Sequence, residues 1–301
     1  MLPVLFSIGP IPISSFGLFL SIGFIYGSFL VWRLARAWEL NEEKILDLII
    51  LAFFGGLLGA RIFFVSLNFD FFKDDLFKIL LITKYPGISF WGGFLGGWLA
   101  MFIFARRLKL NFYQVADLAA VGYLGGVILG DLGCFLGGCA VGGQSSIFFA
   151  VPVVGVVGKR FPAQLLEAAL LSLLLFKMWP KSSRFHIHGE ILSIILIFLG
   201  IIKLISEFFL ASHQGGYFLS IATSSLGIFI YYQITKRNVK KDLVSAYFIL
   251  ASLLTSKKQW RNILASLSRS WYNLINSWSW KLRALAKFLR RMRVKPTPKD
   301  I

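Results

Sequence analysis

The sequence predicts an all-α membrane protein, built as a seven-span transmembrane helix bundle with a cytoplasmic amphipathic C-terminal helix. Of its 301 residues, 57% are hydrophobic and only 15% are charged, whereas soluble domains are roughly 45–50% apolar. The apolar residues fall into seven stretches that each approach the ~20 residues needed to cross a bilayer. The basic residues gather in every second connection and toward the end of the chain.

The seven apolar stretches define a predicted membrane domain over residues 1–235. They cover approximately residues 11–32, 46–67, 88–105, 113–130, 162–178, 189–210 and 217–234. Cytoplasmic connections of membrane proteins carry an excess of Lys and Arg. Here that excess follows the first, third, fifth and seventh stretches, as Arg33, Arg36, Lys44, Arg106, Arg107, Lys109, Lys177, Lys181, Arg184, Lys236, Arg237, Lys240 and Lys241. We therefore expect the N-terminus outside and the C-terminus inside.

Five charged residues lie within or at the ends of the apolar stretches, at one predicted depth near the outer side. They are Arg61, Asp131, Glu167, Lys203 and Glu207, and Arg160 stands just outside the fifth stretch. Charges at membrane depth are costly, so they usually face a bundle interior and indicate a functional site. We predict a polar cavity that opens toward the outer side. The alternative is a set of structural ion pairs between helices.

A glycine-rich run with a carboxylate and two thiols ends the fourth stretch. It contains Asp131, Cys134, Gly137, Gly138 and Cys139. We interpret residues 131–161 as irregular backbone that lines the cavity, because such backbone at membrane depth must be buried in protein or line a cavity. The two cysteines could be small packed residues, a disulfide or a reactive pair. Their spacing is not typical of a metal site, and we expect neither a metal nor a cofactor.

Two further acids lie near the starts of predicted helices. Asp47 and Asp117 follow Asn41 and Asn111, and the helix dipole favours a carboxylate in the first turn. Capping is the preferred interpretation for Asp47, and the role of Asp117 stays open.

Residues 236–301 form a second predicted unit with a strongly basic composition. They hold 16 of the 32 Lys and Arg but only two of the 14 acids, so +14 of the formal net charge of +18 lies there. Between residues 257 and 293, tryptophans and leucines recur at helical spacing among basic residues, a pattern typical of a helix that lies in the membrane interface. We expect this helix to bind anionic lipid head groups. Nucleic acid is the rival partner of a basic segment, and the aromatic residues argue against it.

Polar and glycine-rich motifs recur along the membrane domain in a fixed order. They are Gly59-Ala60-Arg61, Ser89-Phe90-Trp91-Gly92-Gly93, the run from Gly130 to Gly142, Arg160-Phe161-Pro162-Ala163-Gln164-Leu165-Leu166-Glu167, and Lys203-Leu204-Ile205-Ser206-Glu207-Phe208. Together they resemble the prolipoprotein diacylglyceryl transferase family over about residues 1–235. Trp91 and Asp131 stand where the family has a histidine and an arginine.

The resemblance implies a bacterial inner-membrane, multi-pass enzyme of lipoprotein biosynthesis. Such an enzyme moves a diacylglyceryl group from phosphatidylglycerol to the lipobox cysteine of a prolipoprotein, and these two molecules are the expected partners. The site residues divide into catalytic carboxylates and residues that bind substrate or phosphate. The first group is Glu207, Glu167 and Asp131, and the second is Arg61, Lys203, Arg160, Trp91, Cys134, Gly137 and Gly138. The alternative is a non-catalytic lipid-binding paralogue on the same scaffold.

Overall fold

The computed structural model describes residues 4–8, 11–73, 75–79, 81, 85, 87–153, 156–211, 216–239, 242 and 265. The chain divides into two compact units, residues 1–236 and residues 237–301. The roles that we assigned to residues 1–235, as a membrane domain, and to residues 236–301, as a basic tail, stay predictions. The amphipathic helix expected within residues 257–293 lies outside the described residues. Every helix and strand named below belongs to the first unit.

The described part of the first unit contains seven long α-helices, one at each predicted apolar stretch, and one short helix. They are α1 (Ser15–Ala37), α2 (Glu42–Leu67), the short α3 (Phe69–Phe72), α4 (Phe90–Arg107), α5 (Phe112–Gly137), α6 (Ala163–Ser182), α7 (Glu190–Phe208) and α8 (Gly216–Thr235). A 3₁₀ turn, Leu76–Ile79, lies between α3 and α4. The all-α class is therefore confirmed for the described residues.

Six of the long helices in the described ranges have the length and apolar composition needed to cross a membrane. The remaining long helix, α4, is less apolar because its 18 residues include four glycines and end with Arg106 and Arg107. The finding supports a multi-pass membrane protein with six candidate spans. The crossing by α4, and with it the count of seven spans, stays a prediction.

The chain begins with a β-hairpin that the hydropathy pattern did not reveal. Strands β1 (Val4–Ile8) and β2 (Ile11–Ser14) pair in antiparallel fashion, so the first helix starts four residues later than predicted. Pro12 disfavours helical backbone at the residue before it. Ser14 then caps α1, since its hydroxyl accepts a hydrogen bond of 3.1 Å from the amide of Gly17.

Glycines allow pairs of antiparallel helices to approach closely. A Cβ added at Gly96 of α4 would lie 2.5 Å from the carbonyl oxygen of Gly55 and 2.8 Å from the Cα of Gly59 on α2. A Cβ at Gly27 of α1 would lie 2.6 Å from the carbonyl oxygen of Gly122 on α5. Small residues at four-residue spacing have this packing role in membrane helices.

The apolar core occupies the end of the bundle where α1 ends and α2, α5 and α7 begin. The largest apolar side chains that are almost completely buried there or in the adjoining turns are Leu34, Ile45, Leu118, Val121, Leu124, Leu171, Ile191, Ile195 and Leu199. We call this end the core end. The opposite end, where α2, α5 and α7 finish, is the site end, because it holds the predicted charged residues.

Asp117 caps a different helix from the one that contains it. It lies in the second turn of α5, is completely buried, and accepts hydrogen bonds of 2.6 Å from the amides of both Gly189 and Leu192 at the start of α7. Those amides are among the donors that an α-helix leaves unsatisfied at its N-terminus. Asp47 also lies beyond the first turn of its helix, which begins at Glu42, so capping by Asp47 is not observed.

Candidate active site

A buried ion pair joins α6 to α7 at the site end. Glu167 lies in the second turn of α6 and Lys203 in the second-last turn of α7, and both residues are less than a tenth exposed. The Nζ atom of Lys203 contacts Oε1 of Glu167. Since removing either partner would leave an uncompensated buried charge, the two side chains hold each other at this depth.

Asp131 adds a second carboxylate to this pair. It lies six residues before the end of α5, and its charge acts on the ammonium group of Lys203 and on Glu167. Its Oδ2 atom is buried and has no hydrogen-bond partner among the described residues. The three side chains therefore form a cluster with two carboxylates and one ammonium group. The sequence analysis had placed these three residues at a common depth.

Aromatic rings from α4 cover the cluster. The Nζ atom of Lys203 lies 3.4 Å from the ring centroid of Phe90, a cation–π contact. Trp91 is 6% exposed and packs edge-to-face against Phe90 and Phe94, at centroid distances of 5.3 and 6.1 Å. The indole of Trp91 is thus part of an apolar wall beside the charges.

Tyr123 belongs to the site and was missed by the sequence analysis. It lies within electrostatic range of Asp131 and Glu167, and its ring packs edge-to-face against Phe94 at 5.6 Å. The available signal was spacing: Tyr123 precedes Asp131 by eight residues, which places both on one face of α5. Tyr123 therefore adds a hydroxyl group within electrostatic range of the two carboxylates.

Arg61 is buried but its hydrogen bonds point to the backbone rather than to the cluster. It is 5% exposed, and its guanidinium donates to carbonyl oxygens of the connection between α2 and α4. The acceptors are Lys78 at 3.0 Å, Ile79 at 2.9 Å, Tyr85 at 3.0 Å and Gly87 at 2.9 Å. These bonds anchor the connection against α2. The phosphate-binding role that we assigned to Arg61 stays a prediction.

Glu207 follows Lys203 by one helical turn and lies beside the start of α8. A Cβ added at Gly216 would collide with the carboxylate of Glu207, so the carboxylate packs directly against the first turn of α8. The hydroxyl of Tyr217 donates to the backbone carbonyl of Glu207 at 3.3 Å. This places Glu207 at the junction of α7 and α8.

The predicted start of the irregular segment at residue 131 was wrong, because α5 continues as a helix to Gly137. The irregular segment begins after α5 and is bound to the ends of α6 and α7. The amide of Gly143 donates to the carbonyl of Phe209 at 2.8 Å, and the amide of Ala211 donates to Val141 at 2.9 Å. The side-chain amide of Gln164 donates to the carbonyl of Ala140 at 2.5 Å. The segment thus closes the site end with backbone hydrogen bonds.

Arg160 lies farther along this segment, in the two-residue strand β4 (Lys159–Arg160) that pairs with β3 (Val151–Pro152). Its Nη2 atom donates to the carbonyl of Val157 at 3.1 Å. A cavity of about 300 Å³ beside it is lined by Gln144, Ser145, Ser146 and Lys159. None of the three clustered side chains lines this cavity.

A bundle of apolar helices that encloses acidic and basic side chains at one end defines an integral membrane protein with a polar site at membrane depth. Residues 3–234 match the family model for prolipoprotein diacylglyceryl transferase. The chain therefore belongs to the prolipoprotein diacylglyceryl transferase family, and the predicted resemblance is confirmed.

The chain is also similar to proteins that carry the name phosphatidylglycerol–prolipoprotein diacylglyceryl transferase, which supports the same family assignment. The protein of Aeromonas hydrophila is 34% identical over 240 residues, which cover 74% of this chain and 84% of the relative. The protein of Salmonella choleraesuis is 33% identical over 238 residues, or 69% of this chain and 80% of the relative. A Deinococcus radiodurans protein is 38% identical over 140 residues, 45% of this chain and 41% of that protein.

Proposed function

We propose that this protein transfers a diacylglyceryl group from phosphatidylglycerol to the thiol of a lipobox cysteine in a prolipoprotein. Membership of the transferase family supports the reaction. The observation that carries its chemistry is the buried cluster of Asp131, Glu167 and Lys203 at the site end. An ammonium group and a free carboxylate at one place suit a reaction in which a thiol loses a proton and a phosphate leaves.

At the lipid carbon, the transfer makes one bond and breaks one, and a proton moves from the thiol to a base. The sulfur of the lipobox cysteine attacks the lipid glycerol carbon that carries the phosphate, and a carbon–sulfur bond forms. The carbon–oxygen bond to the phosphate breaks, and glycerol phosphate leaves with that electron pair. The thiol proton passes to a base. A peptide thiol has a pKa of about 8.5, so a base increases the fraction of reactive thiolate at neutral pH.

Lys203 stabilises the phosphate in this proposal. Its ammonium group acts as a point charge toward the phosphate oxygens, in a site from which water is largely excluded and where charges interact strongly. Glu167 holds the ammonium in place through the buried ion pair. Phe90 covers the other side of the ammonium and leaves the remaining donors of Lys203 to face the lipid.

Asp131 accepts the thiol proton. Its buried Oδ2 atom makes no hydrogen bond to the described residues, so an entering thiol can donate to it. Glu207 is the second candidate base because it follows Lys203 by one turn on the same face of α7. Trp91 is excluded as a base, since the indole nitrogen only donates, and it forms part of the wall for the acyl chains.

The other predicted site residues have supporting roles. Arg61 holds the connection between α2 and α4 over the site end through its four backbone acceptors. Gly137 and Gly138 end α5 and Cys134 follows Asp131 by one turn, so these residues border the place where the acceptor peptide enters. Arg160 provides a cation at the edge of the irregular segment for the departing phosphate.

The protein lies in the bacterial inner membrane with the site end outward in this proposal. The basic residues at the ends of α1, α4 and α6, for example Arg36, Arg106 and Lys181, support a cytoplasmic core end. The seventh crossing by α4 and the N-terminus outside follow from the same alternation. The basic residues 236–301 then meet the anionic cytoplasmic leaflet.

A second candidate function is that of a non-catalytic lipid-binding paralogue. The observation that favours it is the charge of the cluster, since Asp131 occupies the position of a family arginine and leaves the three side chains with a net negative charge. A carboxylate repels the lipid phosphate unless Lys203 compensates for it.

Reconstitution separates the two functions. The purified chain is placed in vesicles that contain phosphatidylglycerol and a lipobox peptide, and the thioether product is followed by mass spectrometry. A turnover that Lys203→Met reduces about 30-fold supports the transferase, because hydrogen bonds to charged groups are worth roughly 2 kcal/mol. Binding of phosphatidylglycerol with no product, next to an active relative as the control, identifies the non-catalytic paralogue.

A further inference from the structure

The two cysteines flank the turn that ends α5. Gly138 has a φ of 72° and donates its amide to the carbonyl of Cys134, and the amide of Cys139 donates to the same carbonyl at 3.1 Å. A left-handed residue followed by this 6→1 hydrogen bond is the Schellman motif. In that motif the residue before and the residue after the turn place their side chains against each other, and here both are cysteines.

Both thiols are free, and the side chains of Cys134 and Cys139 lie within electrostatic range of each other. Cys139 is exposed, whereas Cys134 is half-buried beside Asp131 and Lys203. A disulfide requires Cα atoms about 4.4–6.8 Å apart and side chains that converge. The turn brings the two cysteines together through a backbone hydrogen bond, so the bridge can close without unwinding α5.

We propose that Cys134 and Cys139 are a redox-active pair that closes reversibly into an intramolecular disulfide. The oxidant is a small-molecule disulfide. The exposed Cys139 thiolate attacks one of its sulfurs and releases the first thiol as a leaving group. The Cys134 thiolate then attacks Cys139 in the mixed disulfide and releases the second thiol. Two protons leave the protein thiols and the oxidant gains two electrons, so the exchange is balanced.

The surroundings of the pair favour this exchange. Cys139 is exposed, so a dissolved oxidant can reach its sulfur first, and the half-buried Cys134 then acts as the second thiol. In the proposed orientation the turn lies on the outer side, where disulfides form and persist. The inference that the pair meets an oxidising compartment depends on that orientation. The inference that the disulfide can close depends only on the geometry of the turn. The following test therefore does not depend on transferase activity.

The test is a thiol–disulfide equilibration of the full chain in detergent. The reduced protein is equilibrated with mixtures of reduced and oxidised glutathione, quenched with an alkylating reagent, and weighed by intact mass spectrometry. The chain has two cysteines, so the number of alkyl groups reports directly on this pair. We expect a species that has lost two hydrogen atoms, carries no alkyl group and no glutathione, and replaces the dialkylated form as oxidised glutathione increases.

Single serine variants are the matched controls. Cys134→Ser and Cys139→Ser keep a side chain of similar size, and each should carry one glutathione in the same oxidising mixture. Two alkyl groups at every glutathione ratio, two glutathione adducts on one chain, or a disulfide-linked dimer would each overturn the proposal. If a variant elutes as an aggregate, the wild-type masses and a peptide that links Cys134 to Cys139 after digestion still decide it.

Discussion

Glu167 on α6 and Lys203 on α7 form a buried ion pair that fixes the relative position of the two helices at the site end. Burial of two charges has a desolvation cost that can exceed their attraction. A purely structural contact between two apolar helices would be served by packing alone. The presence of a third charge, Asp131, within range of the same ammonium group is the stronger sign of a chemical role.

Breaking this pair should reduce both stability and transfer. Lys203→Met leaves Glu167 and Asp131 buried without a cation, so we expect a loss of about 3–5 kcal/mol in the free energy of unfolding. The double variant Lys203→Met with Glu167→Gln should recover part of that stability because one uncompensated charge is removed. Transfer should stay about 30-fold below that of the wild type in the double variant, since the cation is still missing. Thermal unfolding in detergent and the product assay measure the two effects.

A recovery of transfer in the double variant would contradict the role of Lys203. It would mean that the ammonium group only neutralises Glu167 and does not act on the phosphate.

Asp131→Asn should slow transfer by roughly 100-fold or more, the contribution typical of a general base. The deficit should shrink between pH 6.5 and pH 9, because a peptide thiol with a pKa of about 8.5 ionises by itself in that range. Initial rates of thioether formation across the pH series measure it. Glu207→Gln is the matched control, and it should keep a rate near that of the wild type.

The reverse outcome assigns the base to Glu207. If Glu207→Gln shows the pH-dependent deficit and Asp131→Asn does not, the proton acceptor lies at the junction of α7 and α8.

The sequence allowed the helices and the depth of the charges to be predicted, but not the partners of those charges. Hydropathy is a local property, so each apolar stretch located its helix. Strand β2 was mistaken for the start of α1 because its residues are as apolar as a helix. The pairing of Glu167 with Lys203 depends on how α6 packs against α7, which spacing within one helix does not reveal. The acceptors of Arg61 are backbone carbonyls, and backbone groups leave no residue-type signal.

His186 should make stability depend on pH. The contact of the His186 ring with the Asp117 carboxylate, opposed by partial burial, raises the pKa of His186, and the Nε2 atom lies 3.5 Å from Oδ2 of Asp117. Since the folded-state pKa exceeds the unfolded value of about 6.5, the stabilisation is fully present below pH 6.5. It is lost as the pH rises through the folded-state pKa.

The measurement compares unfolding temperatures at pH 6 and pH 9. The unfolding temperature of the wild type should exceed that of His186→Gln by more at pH 6 than at pH 9. His188→Gln changes an exposed histidine of the same connection and serves as the control, with no such difference. An equal difference in unfolding temperature at both pH values would show that protonation of His186 beside Asp117 does not contribute to stability.

The close packing of α2 and α4 should make Gly96 sensitive to the smallest substitution. A Cβ there meets backbone atoms of Gly55 and Gly59 within 3 Å, and backbone can move only if the helices separate. We expect Gly96→Ala to reduce the free energy of unfolding by about 1–3 kcal/mol, the range for overpacking. Gly93→Ala on the same helix is the matched control, because its Cβ would meet neighbours at 3.5 Å or more. Denaturant or thermal unfolding of both variants decides the prediction, and equal stability of the two would contradict it.

Arg61→Lys should loosen the connection between α2 and α4 while keeping the positive charge. Lysine replaces the planar fork of arginine with a single ammonium group, so it cannot reach the carbonyls of Lys78, Ile79, Tyr85 and Gly87 together. We expect faster tryptic cleavage within residues 73–87 and a reduced unfolding temperature, with the affinity for phosphatidylglycerol preserved. Lys73→Arg changes an exposed basic residue of the same connection and controls for the altered cleavage site. Unchanged cleavage combined with a weaker affinity for phosphatidylglycerol would instead support direct binding of the phosphate by Arg61. In that case a positive charge alone would be insufficient, and the lipid phosphate would require the bidentate geometry of the guanidinium group.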